Sequence, residues 1–205
     1  MDSMGIDIFN FFALDRANFP RKLIGSASGE LLIVGSGRCL WDDTRGLPIS
    51  STTMCVNDTG MYWPGRITHW YSNDIEQLPH WVKGRRRRLV QLYGGPNKLH
   101  SCFERSLPEC QNVNHWPFPG QGSSGLLAIF VALALGYDNI TVAGIPFDNS
   151  GHFYDPPQSH TLGQGRPWSN FETEAPDRII QRSLPLLVGK VRAISGRLKV
   201  ALENE

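Results

Sequence analysis

Two small-residue turns and a polar loop hold the residue types in this chain best suited to chemistry. Gly35-Ser36-Gly37 follows the apolar run Leu31–Val34. Glycines there let the backbone turn sharply and bring amide N–H groups close to a ligand, and a helix that starts just after them favours an anion. A tight strand-to-helix turn needs glycine without any ligand too, so both readings stand. Ser123-Ser124-Gly125 opens the apolar run Leu126–Leu135. Asn57, at the end of STTMCVN, offers a donor and an acceptor to a ribose or base edge, or simply caps its turn. Gly144 opens a loop that runs to His152, Phe153 and Tyr154, at the end of a strand where α/β proteins bind ligands. His69 and Asp74 are polar near the same end and have a structural reading at least as good. Arg85–Arg88 reads as a solvated turn leading into a strand, or as a phosphate or polyanion contact.

The elements that must position these residues are legible as a series of short strands. Leu31–Val34 is the first, Ser50–Asn57 the second and Arg66–Tyr71 the third; Leu89–Tyr93 is expected as the fourth, with a short strand near Val113–Trp116. Small residues, an apolar helix over Leu126–Leu135, Gly136 and then the β-rich Ile140–Ala143 form the back half of a βαβ unit. Strands joined by helices or loops, rather than by regular hairpin turns, predict an α/β fold. It is a single Rossmann-like domain over 1–205 with a mostly parallel twisted sheet and helices on both faces. Residues 155–170, rich in Pro, Gly and Gln, read as a lid-like loop beside the crevice, and 171–205 as C-terminal helices. The aromatic segment before Pro20 reads as a helix capping one edge, or as a contact in a homo-oligomer.

With 20 basic and 19 acidic residues, the field of the chain does not attract nucleic acid. The four cysteines, Cys39, Cys55, Cys102 and Cys110, show no metal spacing. With no signal-peptide pattern and no apolar run long enough to cross a bilayer, they read as reduced thiols of a cytoplasmic protein. No D-x-D triplet occurs, so the carboxylate pair that usually bridges Mg²⁺ or Mn²⁺ to a diphosphate is missing and no cofactor is expected.

Four segments, taken in order, carry a family resemblance: VGSGRCL (34–40), VND (56–58), SSGLLAIFVALALGYDNITVAGIPF (123–147) and SGHFY (150–154). Together they resemble bacterial sialyltransferases of glycosyltransferase family 42. They also resemble a wider sialyltransferase-like group that includes 6-hydroxymethylpterin pyrophosphokinase-like proteins. The resemblance implies that Gly35, Ser36, Gly37, Asn57, Ser123, Ser124, Gly125, Gly144, Phe147 and Asp148 surround the nucleotide of a CMP-sugar. It implies that Tyr154 stabilises the departing phosphate and that a histidine, His160 or else His152, is the base toward an acceptor hydroxyl. A histidine with an ordinary imidazole suits that proton transfer. The chain has Ser36 where the family has Asn, Arg38-Cys39 for Pro-Ser, and Pro146 and Asp148 in place of an acidic residue and a tyrosine. The expected activity is therefore a metal-independent glycosyl transfer. The alternatives are a phosphotransferase using Mg²⁺ on Asp58, Asp74 and Asp148, and a nucleotide-binding protein without turnover. Val191–Arg197, V-R-x-x-S-G-R, is similar to the end of phage-encoded proteins.

Overall fold

A computed structural model of the chain describes residues 7–48, 52–89, 98–102, 112–118, 123–148, 150–155, 161–162, 166–167 and 174–205. Seven strands form one sheet in the order β5-β4-β3-β2-β1-β6-β9, and every pair in it is parallel. They are β1 (Glu30–Val34), β2 (Thr53–Val56), β3 (His69–Tyr71), β4 (Lys98–Ser101), β5 (Val113–His115), β6 (Asn139–Ala143) and β9 (Val191–Ala193). The α/β class read from the sequence is the class observed. β1 lies in the middle, with Leu31, Ile33 and Val34 almost without exposure, because a parallel strand covered on both faces is apolar throughout.

One face of the sheet is covered by α5 (Ser124–Leu135). Its two ends are written in the sequence: the Ser123 hydroxyl accepts from the Gly125 amide, and Gly136 takes the left-handed conformation at φ 105°. Ten of its twelve residues are buried, among them Ile129 and Val131. The N-terminal aromatics are accounted for here. Phe12 meets the Phe130 ring at 5.1 Å and Phe19 the Phe118 ring at 5.2 Å, so α1 (Ile8–Phe11) and the turn after it roof α5. The other face is covered by α2 (Leu40–Thr44), α3 (Thr59–Tyr62) and α4 (Leu78–Leu89), around Leu40, Trp70, Ile75 and Leu78.

Three expectations are corrected. The fourth strand is Lys98–Ser101, not Leu89–Tyr93: Leu89 closes α4, and residues 90–93 lie outside the described ones. Leu78, Trp81, Val82 and Arg85 follow helical spacing, which the run of four arginines disguised as a turn. Residues 171–205 are not only helices. Between α6 (Glu174–Leu187) and α7 (Gly196–Glu203) runs β9, an edge strand in which Val191 and Ala193 are buried and Arg192 is exposed. Val191–Arg197 is therefore β9, the turn after it and the start of α7. Within 155–170, β7 (Thr161–Leu162) pairs antiparallel with β8 (Arg166–Pro167). Cys39, Cys55 and Cys102 are free thiols, and Cys110 lies outside the described residues. Among the described residues, no helix is long and apolar enough to cross a membrane.

Candidate active site

The chain leaves β1 in one direction toward β5 and returns through α5 to β6 on the other side of β1. The crevice outside the carboxyl ends of β1 and β6 is the switch point where ligands bind in open α/β sheets. The Gly35-Ser36-Gly37 turn lies there, and its glycines answer first to the neighbouring loop. A Cβ on Gly35 would fall 2.4 Å from Ile145 Cγ1 and 2.7 Å from the Gly144 oxygen, and one on Gly37 would fall 2.5 Å from Pro146 Cδ. Two of the amides expected to face a phosphate are engaged within the chain: Gly35 N–H donates to Ala143 O at 2.9 Å and Gly37 N–H to Gly144 O at 2.8 Å. Ile145 is a residue that the sequence did not single out, and it wedges between this turn and α5. A Cβ on Gly125 would meet Ile145 Cγ2 at 2.5 Å.

The loop after β6 is zipped to the same turn. Arg38 N–H donates to Gly151 O at 3.0 Å, Phe153 N–H to Ser36 O at 3.0 Å, and the Arg38 Nε–H to Ser150 O at 2.8 Å. This zipper sets His152 and Tyr154 beside the crevice. Their rings stack at 5.0 Å with 4° between planes, and Tyr62 of α3 stacks on the other partner at 5.5 Å from the Tyr154 ring. The Tyr154 hydroxyl donates to Asp58 Oδ2. Burial, and then Asp58, push the Tyr154 phenol well above its ordinary value, so at neutral pH it is a hydrogen-bond donor. His152 is held by Asp155, a carboxylate only 7% exposed, which accepts from the His152 N–H at 2.7 Å and lies 3.2 Å from Nδ1.

Asn57 stands between these groups and the sheet, at φ 52°. The left-handed conformation, which asparagine tolerates better than most residues, turns the chain from β2 into α3. Three contacts fix it: its N–H donates to Tyr71 O at 2.9 Å, its carbonyl accepts from Trp70 Nε1–H at 2.6 Å, and its Oδ1 accepts from the Ser72 hydroxyl at 2.9 Å. Ser72 Oγ in turn accepts from the Asp74 amide at 2.9 Å, so the serine proton points at Asn57. Asp74 has its carboxyl raised by burial and then by Glu76 and Asp58.

Two other expected site residues, Phe147 and Asp148, sit apart from this group. Phe147, at φ 54°, packs against the α5-side core. Asp148 accepts from the Ser150 amide at 2.9 Å and lines a cleft between α6 and α7 with Asp177, Ser195 and Arg197. Gly144, at φ 67°, donates its N–H to Asp43 Oδ2 at 2.8 Å, which also accepts from the Ser195 hydroxyl at 2.8 Å. Burial, foremost, pushes the neighbouring Cys39 thiol up to about 11, so it stays protonated 3.2 Å from Ser195 Oγ. Ser123 and Ser124 open α5 as its cap and first residue. His160 lies outside the described residues. Asp155, Asp43, Ser195 and Ser72 escaped the sequence reading because their partners are set by the fold; only the H-x-x-D spacing of His152 and Asp155 was a local signal.

His69 resolves as structural. The Trp116 Nε1–H donates to His100 Nδ1 at 3.0 Å, which fixes His100 as the Nε2–H tautomer donating to His69 Nδ1, also at 3.0 Å. His69 must then donate from Nε2 to the Tyr137 hydroxyl at 2.9 Å. The four rings form a one-way chain of donors inside the α5-side core.

A parallel sheet with its ligand-end loops gathered at the switch point defines a Rossmann-like α/β protein. Among solved structures, the chain is similar to the sialyltransferase CstII from Campylobacter jejuni in complex with the substrate analogue cytidine-5'-monophosphate. The two are 14% identical, with 81% of this chain and 79% of that chain covered and a TM-score of 0.54. It is similar to CstII with CMP-3FNeuAc at 15% identity, 80% of each chain and a TM-score of 0.50. An apo alpha-2,3-sialyltransferase from Campylobacter jejuni is 15% identical over 86% of this chain and 79% of that one, with a TM-score of 0.53. At these identities the likeness is one of fold. No protein-family model and no curated protein sequence matches the chain.

Proposed function

We propose that this chain is a metal-independent glycosyltransferase-like enzyme whose donor is a nucleotide-activated sugar, a CMP-sugar. The observation that carries the reading is the Tyr154–Asp58 contact beside Asn57, with His152 stacked on Tyr154, at the switch point of this fold. The solved structures of like fold include complexes with CMP and with CMP-3FNeuAc, which supports the choice of nucleotide.

In this reading the bond from the sugar carbon to the phosphate oxygen breaks, and an acceptor hydroxyl oxygen takes its place on that carbon. Tyr154 O–H releases Asp58 and donates to the departing phosphate, where a fixed donor lowers the barrier most. With its Oδ1 taken by Ser72, Asn57 turns its amide NH₂ toward the nucleotide. The acceptor proton goes to a histidine: His152 is oriented for this by Asp155, and His160 stays the other candidate. Ser36 and the Ser123-Ser124-Gly125 turn line the phosphate side, and Gly144 shapes the floor. A Mg²⁺-dependent phosphotransferase is disfavoured because Asp148 stands apart from Asp58 and Asp74. Asp58 serves Tyr154, while Asp148 is bound to the Ser150 amide and lines the α6–α7 cleft.

Thermal-shift titration with CMP, CDP, UDP, GDP and ATP, with and without Mg²⁺, tests this. Stabilisation by CMP without metal, followed by release of CMP from a CMP-sugar, is the expected result. Stabilisation by ATP only with Mg²⁺ would move the chain to the phosphotransferases, and CMP binding without turnover would make it a nucleotide-binding protein.

A further inference from the structure

Arg85, the first of the four consecutive arginines, is 1% exposed, and among the described residues no carboxylate pairs with it. Its guanidinium reaches from α4 to the far end of α3 instead. Nη1 donates to Gly60 O at 3.0 Å and to Trp63 O at 2.8 Å, and Nη2 donates to Gly65 O at 2.8 Å. A helix of one turn leaves its last carbonyls without partners inside the helix, and a cation there is favoured by charge and by hydrogen bonding. Guanidinium suits the task because its planar fork serves several carbonyls at once from fixed directions.

Trp70 also holds α3. A Cβ on Gly60 would fall 2.2 Å from Trp70 Cε2, so the helix backbone lies flat on the indole, whose Nε1–H donates to Asn57 O at 2.6 Å. The helix held between Arg85 and Trp70 carries Asp58 at its start and Tyr62 at its end, and these are the residues that touch the Tyr154 hydroxyl and ring.

We propose that Arg85 is a positioning residue that clamps α3 and so sets Tyr154 in the crevice. The clamp is independent of the ligand; its effect on nucleotide binding rests on the function proposed above.

The ligand-free test is NMR of protein with ¹³C-labelled tyrosine rings, with Tyr154 assigned by its loss in Tyr154→Phe. Tyr154 lies between Tyr62 and His152, so its ring signals carry their ring-current shifts. In Arg85→Met these signals move toward those of an unstacked tyrosine. In Arg85→Lys, which keeps the charge and part of the donor set, they move part of the way. Ile180→Ala, a cut of similar kind in the α5-side core, leaves them in place. Native Tyr154 signals in folded Arg85→Met overturn the proposal, and so does an equal displacement in Ile180→Ala. If Arg85→Met does not fold, Arg85→Lys decides: displaced signals support the clamp and unmoved ones overturn it. Titration with CMP adds a second readout, an affinity loss of about tenfold in Arg85→Met and a smaller one in Arg85→Lys. If the native chain does not bind CMP, the proposed donor falls, while the tyrosine signals still decide the clamp.

Discussion

Tyr154 donates its phenolic hydrogen to Asp58, a residue 96 positions earlier in the chain. One proton cannot serve the Asp58 carboxylate and a phosphate together, so in the proposed mechanism a bond from Tyr154 to the departing phosphate replaces this contact. Tyr154→Phe removes the donor but keeps the ring in its stack. It is expected to lower transfer from a CMP-sugar by about 100-fold while CMP affinity changes by less than about threefold. Steady-state kinetics and calorimetric CMP titration check this; unchanged turnover would take Tyr154 out of the mechanism.

Asp58→Asn answers the complementary question. In the proposed mechanism the carboxylate would repel the nucleotide phosphate and hold the phenol away from it. Its neutral replacement is expected to tighten CMP binding by about three- to tenfold at low salt, with the gain shrinking as salt rises. Isothermal titration at two ionic strengths measures both; a weaker complex would mean that Asp58 contacts the nucleotide favourably.

The two candidate bases separate by substitution. His152→Gln is expected to lower kcat by about 100-fold with little effect on KM, and Asp155→Asn, which removes the carboxylate beside the imidazole, by about tenfold. His160→Gln serves as the comparison. If it has the larger effect on kcat, the base is His160 and the His152–Asp155 pair is structural.

The buried pair His69 and His100 makes stability depend on pH. Burial, with Lys98 adding to it, lowers His69 to about 4 from an ordinary 6.5. His100 is depressed by burial and then by His69 and Lys98. Both fold as neutral rings and gain protons more readily when unfolded. The contribution of His69 is therefore complete above about pH 6.5 and is lost as pH falls toward 4, at up to about 1.4 kcal/mol per pH unit, and His100 acts in the same direction. Urea unfolding at pH 7.5, 6 and 4.5 should show this slope, and His69→Gln should flatten it. Equal slopes in the two proteins would place the proton uptake elsewhere.

Gly35→Ala should destabilise the protein by about 2 kcal/mol, since its Cβ meets both a side chain and a backbone oxygen of the β6 loop. Shortening the side chain in Gly35→Ala/Ile145→Ala removes one obstacle and leaves the Gly144 carbonyl, 2.7 Å away. Thermal unfolding should therefore show incomplete rescue.

What the sequence made legible was local. Leu31–Val34 before Gly35, and Ser123 and Gly136 at the ends of α5, announce themselves through apolar runs, a cap and a left-handed glycine within a few positions. β9 did not, because Val191–Ala193 is three residues long at a sheet edge and is flanked by helical composition. Arg85 gave the wrong signal: a run of arginines reads as solvated surface, and only the carbonyls of Gly60, Trp63 and Gly65, 20 to 25 positions away, draw this one inside. In the crevice, Asn57, His152 and Tyr154 could be picked out by type and resemblance. Of the residues that orient them, Ser72 and Asp58 are fixed by contacts that exist only once the strands are side by side, while Asp155 stands three positions after His152.

Asp43 joins parts of the chain that are farther apart still. One oxygen of its carboxylate takes both the Gly144 amide and the hydroxyl of Ser195, 152 positions away. Helix α2, the loop after β6 and the turn after β9 are thus joined at one carboxylate oxygen. Docking of the last strand and helix and ordering of the crevice are consequently linked equilibria, and each must favour the other by the same factor. A nucleotide that tightens the turn after β1 would slow hydrogen exchange at Ile194–Arg197, a stretch with no need to touch it.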